Sequence, residues 1–478
     1  MKKTTFLIAF LSCLSFAFPL SFVKAQSTAN AQENTQQTAV NLANDPRVAY
    51  LKNKSLKIRS INPSNDDFSD LMPLKKVIGD AQVVMLGEGT HHDANTYRAR
   101  TRLIKFLHQE MGFDVLAFES GFYDVSRAWQ NIQAGKDADS EFYNSVFFGG
   151  LVEFYPLIEY IQGQVKTKKP LEITGFDSQL TGTPTRDTLV SDLREFFKEV
   201  GIQTNALDEG SPFAKQLVLQ GMLGGYTPPD QAFIDTFVDL RKQVASKVTN
   251  PKSPKIAYML QLLESIETNA RNWRLGAEAK EKKYTVEQQI KLGMHDMRDK
   301  QMARNLIWLA QVRYPKRKII ASAASVHTGY SDIFINDPYF KKKWRNVELP
   351  LMGYYVRQAL GSKVYSISFT YYEGMAGTIT NYPESTWKIE TNQRPEIELE
   401  ELFHSTRMEY AFLDLRNPRK GGEWLKGRFV SRVGGGNGAM EGKWNTYLDG
   451  IIYIREGKAV EGRRKNIPPI PYIKAPPK

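Results

Sequence analysis

Residues 81–93 read AQVVMLGEGTHHD and join an apolar run to an abrupt polar turn. The apolar part, 81–87, is rich in aliphatic and β-branched residues and ends in glycine, which is typical of a buried strand. The polar part ends at Asp93, a residue type that often caps a helix, and a helical pattern follows over 94–111. The stretch therefore predicts a strand, a tight polar turn and a helix.

The same kind of apolar run recurs along the chain, separated by helical patterns such as 151–165 and 186–200. The further predicted strands are 115–118, 171–176, 318–324 and 363–369. Continuously apolar strands that alternate with helices favour a mostly parallel sheet with helices on both faces, an α/β fold. From about 184 to 312 apolar residues recur at three- and four-residue spacing without a strand pattern, which predicts a helical subdomain inserted between two strands.

Polar residues stand where the predicted strands end. In an open α/β sheet ligands bind outside the carboxyl ends of the strands, so residues there carry more weight than the same residues elsewhere. The residues at these ends are Glu88 and His91, Glu119, Asp177, and His327. A single polar residue in such a place more often caps a helix or satisfies a loop, but four strand ends together indicate an active site. Asp177 and His92 are the candidates for contact with substrate.

The spacing of Glu88 and His91 suits general acid-base catalysis. The two residues are three positions apart across a tight turn, close enough for the carboxylate to hold the imidazole. Such an imidazole can take a proton from water while the carboxylate fixes its tautomer. Arg100, in the following helix, is a candidate for ordering carboxylates or binding an oxyanion, although helix arginines more often face solvent. His327 is the second candidate for proton transfer.

Several other chemistries lack their sequence signals. The chain has six histidines and a single cysteine, Cys13, so a disulfide framework and a cysteine-rich zinc site are excluded. No G-x-S-x-G, H-E-x-x-H or G-x-G-x-x-G motif occurs at the expected place, and no cofactor is predicted. One alternative stays open, because nitrogen and oxygen ligands suit a divalent metal. Its ligands would be Glu88, His91, Glu119 and His327.

The two ends of the chain differ from its middle. Residues 1–25 have a basic start, an apolar run and small residues before Gln26, which predicts a secretory signal peptide. Residues 26–45 resemble a flexible leader, and 461–478 a proline-rich tail, leaving 46–460 as the folded domain. We therefore expect a periplasmic or secreted protein without an integral membrane segment after cleavage. Cleavage removes Cys13 and three lysines, lowering the formal charge from +12 to +9. The remaining basic residues form no stripe for nucleic acid.

The block LGEGTHHDANTYRARTRLIKFLHQEMGFDVLAFESG, residues 86–121, resembles the opening of the erythromycin esterase family. Members typically show G-E-x-T-H, a following helix with arginines, and an apolar strand that ends in Glu. GFDSQ at 175–179, RDKQMARNLIWL at 298–309, and the late segments LMGYYVRQALGSKVYSISFTYYEG and LDGIIYI are similar too. The resemblance extends from about 75 to 455, nearly the whole expected mature chain.

This resemblance implies a hydrolase that opens a macrolide lactone or a related small-molecule ester, without a covalent enzyme intermediate. It assigns the general base to His91, with Glu88, Arg100 and Glu119 as its partners. The family usually has H-N-x-H after the later strand, whereas this chain has Ala324-Ser-Val-His327. The missing histidine leaves open a non-catalytic small-molecule binder of the same fold. The metal-dependent hydrolase of another substrate, suggested by the nitrogen and oxygen ligands above, is the other alternative.

Overall fold

The computed structural model describes residues 42–91, 93–220, 228–248, 250, 253–331, 350–376, 387–389, 391, 396–434 and 438–462. The predicted signal peptide, the predicted leader up to residue 41 and the predicted tail from residue 463 lie outside these ranges, as does His92. None of the described helices is both long enough and apolar enough to cross a membrane.

A nine-stranded sheet forms the centre of the described chain. Its strands are β1 (Leu56–Ile58), β2 (Val83–Glu88), β3 (Phe113–Gly121), β4 (Glu172–Asp177), β5 (Lys318–Ala324), β6 (Val364–Ala376), β7 (Trp387–Lys388), β8 (Tyr410–Asp414) and β11 (Gly450–Gly457). Between β8 and β11 the chain forms a small separate pair of strands, β9 (Phe429–Ser431) and β10 (Met440–Gly442). The order across the sheet is β1-β8-β11-β6-β2-β5-β3-β4, and β7 pairs with β6. The six strands from β11 to β4 run parallel.

The mostly parallel α/β fold is confirmed, and all five predicted strands are present. Every residue of β2 is buried, as expected for a strand covered on both faces. Sequence patterns missed β1, β8 and β11, which extend the sheet beyond β6. Of these, β1 and β8 are the antiparallel strands at that edge.

Helices cover both faces of the sheet. They are α1 (Pro46–Lys54), α2 (Leu74–Ile78), α3 (Ala94–Met111), α4 (Phe122–Gln133), α5 (Ala138–Ser145), α6 (Tyr155–Gln164), α7 (Thr183–Asp187), α8 (Leu189–Glu199), α9 (Pro212–Gln220), α10 (Gln231–Lys247), α11 (Pro254–Glu281), α12 (Val286–Lys291), α13 (Met297–Trp308), α14 (Ser325–Thr328), α15 (Met352–Leu360), α16 (Leu399–Ser405) and α17 (Trp444–Tyr447). The predicted helix over 94–111 is α3. The pattern over 186–200 corresponds to two helices, α7 and α8, that meet at Thr188.

Of the three apolar cores formed by the described residues, the two largest lie on opposite faces of the sheet. One contains the buried face of α3 together with α5 and α6, and includes Phe106 and Phe142. The other lies beneath α8 to α11 and α13, and includes Phe196 and Leu262. The described residues between β4 and β5 form helices and no strand, as the pattern over 184–312 predicts. After this long insertion the chain enters β5, which lies in the middle of the sheet between β2 and β3.

The turn after β2 is held by the segment that follows the last strand. Asp93 caps α3, accepting hydrogen bonds from the backbone of Asn95 and Thr96. Its Oδ1 atom also accepts from the backbone N–H of Lys458 at 2.8 Å, and the N–H of Ala94 donates to the carbonyl of Lys458 at 2.6 Å. The start of α3 and its preceding turn are therefore fixed by contacts from opposite ends of the domain.

Candidate active site

The predicted strand-end residues meet at the carboxyl edge of the sheet. Glu88 ends β2, Glu119 lies near the end of β3, and Asp177 ends β4. His327 lies in α14, directly after β5, while Arg100 reaches the same edge from α3. Parallel strands bring their carboxyl ends together, so residues far apart in the chain become neighbours here.

His91, Glu88 and Arg100 form a first group. His91 Nδ1 lies 2.5 Å from Glu88 Oε1, and the other carboxylate oxygen of Glu88 accepts from Arg100 Nη1. The Arg100 side chain is 5% exposed and lies over the ring of Tyr97, 4.7 Å from its centroid. The hydroxyl of Tyr97 donates to the carbonyl oxygen of His91 at 3.2 Å. Arg100 is therefore a buried partner of Glu88 rather than a solvent-facing helix residue.

The surroundings of His91 favour a neutral imidazole. Burial lowers its pKa below the usual value, and the nearby positive charges of His327 and Arg298 add to this effect, while the charge of Glu119 opposes it. The His91 side chain is still 32% exposed. A neutral imidazole with one nitrogen held by a carboxylate and some access to solvent can act as a base near neutral pH.

A second group is built around Arg298, at the start of α13. Its guanidinium donates to both carboxylate oxygens of Asp177, at 3.2 and 2.6 Å, and to Glu119 Oε1 at 2.9 Å. The other oxygen of Glu119 accepts from the backbone N–H of Ala324 at 2.9 Å. Ala324 is the position at which the family usually has a histidine. Its backbone N–H therefore holds Glu119, one of the predicted site carboxylates.

His327 lies between two carboxylates of the second group. Its Nδ1 is 2.6 Å from Asp299 Oδ1 and its Nε2 is 3.3 Å from Glu119 Oε1. Burial opposes charge on this ring, but Asp299 and Glu119 outweigh it and raise the pKa of His327 to about 10. His327 is therefore an imidazolium at neutral pH, which can donate a proton or stabilise an anion but cannot accept a proton.

The charges of the second group also act on Glu119. Burial would raise the pKa of its carboxyl, but His327, Arg298 and His91 together hold that pKa well below its usual range. Glu119 is ionised, and its two oxygens are bound by the backbone of Ala324 and by two cationic side chains. This arrangement suits a residue that positions charged neighbours rather than one that transfers a proton.

Arg298 and Asp299 belong to this cluster, although reasoning from residue types did not single them out. Both lie in RDKQMARNLIWL, which was noted for its resemblance alone. The available signal was an Arg-Asp pair at the start of a helix in the inserted segment, a pattern that also occurs on exposed helices. Only the return of α13 to the sheet edge shows that both side chains bind strand-end residues.

The remaining histidines have other surroundings. His108, on α3, has Nδ1 2.6 Å from the hydroxyl of Tyr160 and Nε2 3.1 Å from the carbonyl oxygen of Lys169, so it ties α3 to α6 and the segment after it. His404 stacks on Tyr372, with ring centroids 4.2 Å apart. His295 Nε2 lies 3.9 Å from Asp296, just before α13.

The site residues do not form an open metal-binding set. In the part of the chain that the structure describes, no three His, Cys, Asp or Glu side chains are grouped as metal ligands. Glu88 and Glu119 both bind arginines, and the raised pKa of His327 opposes the deprotonated form that a metal ligand must have. The donor chemistry of these residues therefore does not fit a divalent cation.

Comparison with known proteins identifies the family. The family model described as "Erythromycin esterase" matches residues 108–457. "Putative hydrolase YbfO" of Bacillus subtilis is 28% identical over 415 residues, 82% of this chain and 88% of that protein. Erythromycin esterase type II of Escherichia coli is 31% identical over 101 residues, 21% of this chain and 24% of that protein.

Solved structures share the fold. A Bacillus cereus protein superimposes with a TM-score of 0.69 at 17% identity, covering 87% of this chain and 98% of its own. An erythromycin esterase variant in its open conformation gives a TM-score of 0.54 at 16% identity, covering 83% of this chain and 96% of its own. The residues matched by the family model include Glu119, Asp177, Arg298 and His327. Because this model spans most of the sequence, the chain belongs to the erythromycin esterase family of hydrolases.

Proposed function

We propose that this protein hydrolyses a carboxylic ester or lactone with water as the nucleophile and His91 as the general base. The observation that carries the proposal is the contact of 2.5 Å between His91 Nδ1 and Glu88 Oε1, beside a buried Arg100. Because Glu88 engages Nδ1, Nε2 is the nitrogen that takes the proton from water. No covalent intermediate on the enzyme is needed.

The reaction proceeds in two steps. The oxygen of the activated water bonds to the ester carbonyl carbon, and the electron pair of the carbonyl double bond moves to its oxygen. The resulting tetrahedral oxyanion then re-forms the carbonyl and breaks the bond to the alcohol oxygen, which takes up the proton held by His91. The products are a carboxylic acid and an alcohol, and the base returns to its neutral state.

The second group places two cationic side chains, His327 and Arg298, near enough to the base to influence its pKa. The pKa of His91 responds to Glu119, His327 and Arg298, which supports a shared space between the two groups. In the proposed reaction the His327 imidazolium and the Arg298 guanidinium stabilise the oxyanion. Glu119, Asp177 and Asp299 are positioning residues, because each binds one of these two cations. Asp177 is therefore proposed to act through Arg298. Substrate binding by His92 stays a prediction.

A macrolide lactone is the leading substrate. The resemblance of the first sequence block and the partial similarity to an erythromycin esterase of Escherichia coli support this choice. Export to the periplasm or beyond is proposed from residues 1–25, where the enzyme would meet an antibiotic before it reaches the ribosome.

The test is incubation of the purified protein with a panel of macrolides and simpler esters, followed by mass spectrometry. Hydrolysis adds the mass of one water to a lactone and splits a linear ester into two products. A His91→Asn variant serves as the control for catalysis by the base. Binding of a macrolide without any product would overturn the enzymatic proposal and favour the non-catalytic binder.

A further inference from the structure

Two adjacent phenylalanines stand beside the proposed base. Phe147 and Phe148 lie between α5 and the short 3-10 helix Val152–Phe154. The ring centroid of Phe148 is 4.7 Å from that of His91, with the rings tilted by 42°. Phe147 approaches the same imidazole edge-on at 6.4 Å, and the two phenyl centroids are 4.0 Å apart. Both side chains are only partly buried.

The backbone that presents these rings is held in an unusual conformation. Phe148 has a φ of +64°, in the left-handed region that bulky residues rarely adopt and that occurs preferentially at ligand clamps and active sites. The N–H of Phe147 donates to Ser120 Oγ at 2.8 Å, so the turn is attached to the residue next to Glu119. On the other side of Phe148, Gly149 leaves no room for a side chain, because a Cβ there would lie 2.3 Å from the carbonyl oxygen of Phe142.

The two sides of the site differ in chemistry. One side holds Glu119, Asp177, Asp299, Arg298 and His327, three carboxylates with two cations. Three carboxylates and two cations leave this group with a net negative charge, which disfavours an anionic substrate. The other side offers the apolar rings of Phe147 and Phe148 next to the base. An ester without negative charge, with a hydrocarbon group close to its carbonyl, suits both features.

We propose that Phe147 and Phe148 form an apolar wall that binds the hydrocarbon group flanking the scissile carbonyl, so that the enzyme selects esters or lactones that carry alkyl substituents at that position and no negative charge. This inference rests on the proposed function and names its substrate class. Each methylene that becomes buried against the wall is expected to raise kcat/KM by about three- to fourfold until the wall is filled.

The test uses p-nitrophenyl acetate, butyrate, hexanoate and octanoate, in which the alcohol part is constant. The variant is Phe148→Asn, because asparagine tolerates a positive φ and removes the ring. The matched control is Arg407→Asn, which changes an exposed residue with a φ of +62° in the segment after α16. Circular dichroism and thermal melting confirm that both variants fold.

The wild type and Arg407→Asn should prefer octanoate over acetate by about tenfold or more in kcat/KM. In Phe148→Asn this ratio should fall by about tenfold, mainly through a higher KM for the long esters. A purely structural role for the ring would lower the rates for all four esters equally and leave the ratio unchanged. That result, or a wild type indifferent to chain length, overturns the inference.

If the wild type hydrolyses none of the four esters, the proposed function is in question, and the wall is then tested by binding. Calorimetry with the uncharged methyl esters of butyric and octanoic acid compares the same three proteins. Tighter binding of the octanoate ester that is lost only in Phe148→Asn supports the wall. Equal affinity for the two esters in the wild type contradicts it.

Discussion

Asp299 Oδ1 lies 2.6 Å from His327 Nδ1, although Asp299 belongs to a helix of the inserted segment and His327 to the short helix α14 that follows the central strand β5. The same Asp299 oxygen accepts a hydrogen bond from the backbone N–H of Met352 at 3.0 Å. With Glu119 on its other nitrogen, His327 is held as a cation. The two strand-end histidines therefore differ in charge: His91 is suited to accept a proton, and His327 is not.

Replacing His91 by Asn should remove the proposed base while keeping a side chain that can contact Glu88. We expect kcat on any ester that the wild type hydrolyses to fall by about 10²- to 10⁴-fold, the usual contribution of general base catalysis. The melting temperature should change little, because the imidazole is partly exposed. Product formation under single-turnover conditions measures the effect, and an unchanged rate would show that another group activates water.

The pH dependence of kcat/KM follows from the opposite pKa shifts of the two histidines. Activity should rise with pH as His91 loses its proton, with a midpoint below 6.5, because burial lowers the pKa of this base. It should fall again near pH 10, where His327 loses its charge. In Asp299→Asn the alkaline limb should move to lower pH, because the carboxylate that raises the pKa of His327 is absent. An alkaline limb near pH 7 in the wild type would contradict these assignments.

Arg298 should matter for the stability of the protein. Its removal in Arg298→Ala leaves Asp177 and Glu119 close together without their shared cation, and we expect a loss of about 2–4 kcal/mol in the free energy of unfolding. Arg304→Ala, on the same helix, breaks an exposed pair with Glu264 and should cost less than about 1 kcal/mol. Urea unfolding compares the two variants; equal losses would mean that the Arg298 cluster is not a stabilising network.

Gly87 should not accept a side chain. A Cβ there would lie 2.5 Å from Thr328 Oγ1 and 2.9 Å from the Cα of Ser325, so Gly87→Ala should destabilise the protein by about 1–3 kcal/mol and displace α14 with His327. In contrast, a Cβ at Gly276 in α11 meets no atom within 4 Å, and Gly276→Ala should stabilise by about 0.5–1 kcal/mol. Thermal melts and ester hydrolysis measured on both variants test this contrast.

Chelators should leave the activity unchanged. The carboxylates of the site bind arginines and His327 is protonated, so these groups have little affinity for a divalent cation. Turnover after dialysis against EDTA should match that of the untreated enzyme, and added zinc or manganese should not increase it. Loss of activity on chelation with recovery on adding one of these metals would favour the metal-dependent alternative.

Local patterns were sufficient for the parallel core of the fold. The run 81–87 with its polar turn, and the four further apolar runs, all correspond to parallel strands of the sheet. Buried parallel strands are continuously apolar, so each is visible in a short window of sequence. The strands β1, β8 and β11 were missed. Of these, β1 has only three residues and β8 only five, which is too few to form a clear pattern.

The sequence by itself determined which side chains stand at the strand ends, because a strand, turn and helix are specified by neighbouring residues. It thereby identified Glu88, His91, Glu119 and His327 before any contact was known. Only the tertiary structure decided that His327 is a cation, that Arg298 joins two strand ends, and that Phe148 lies against the base. Charge state and contact depend on groups brought together from distant parts of the chain, and no local spacing encodes them.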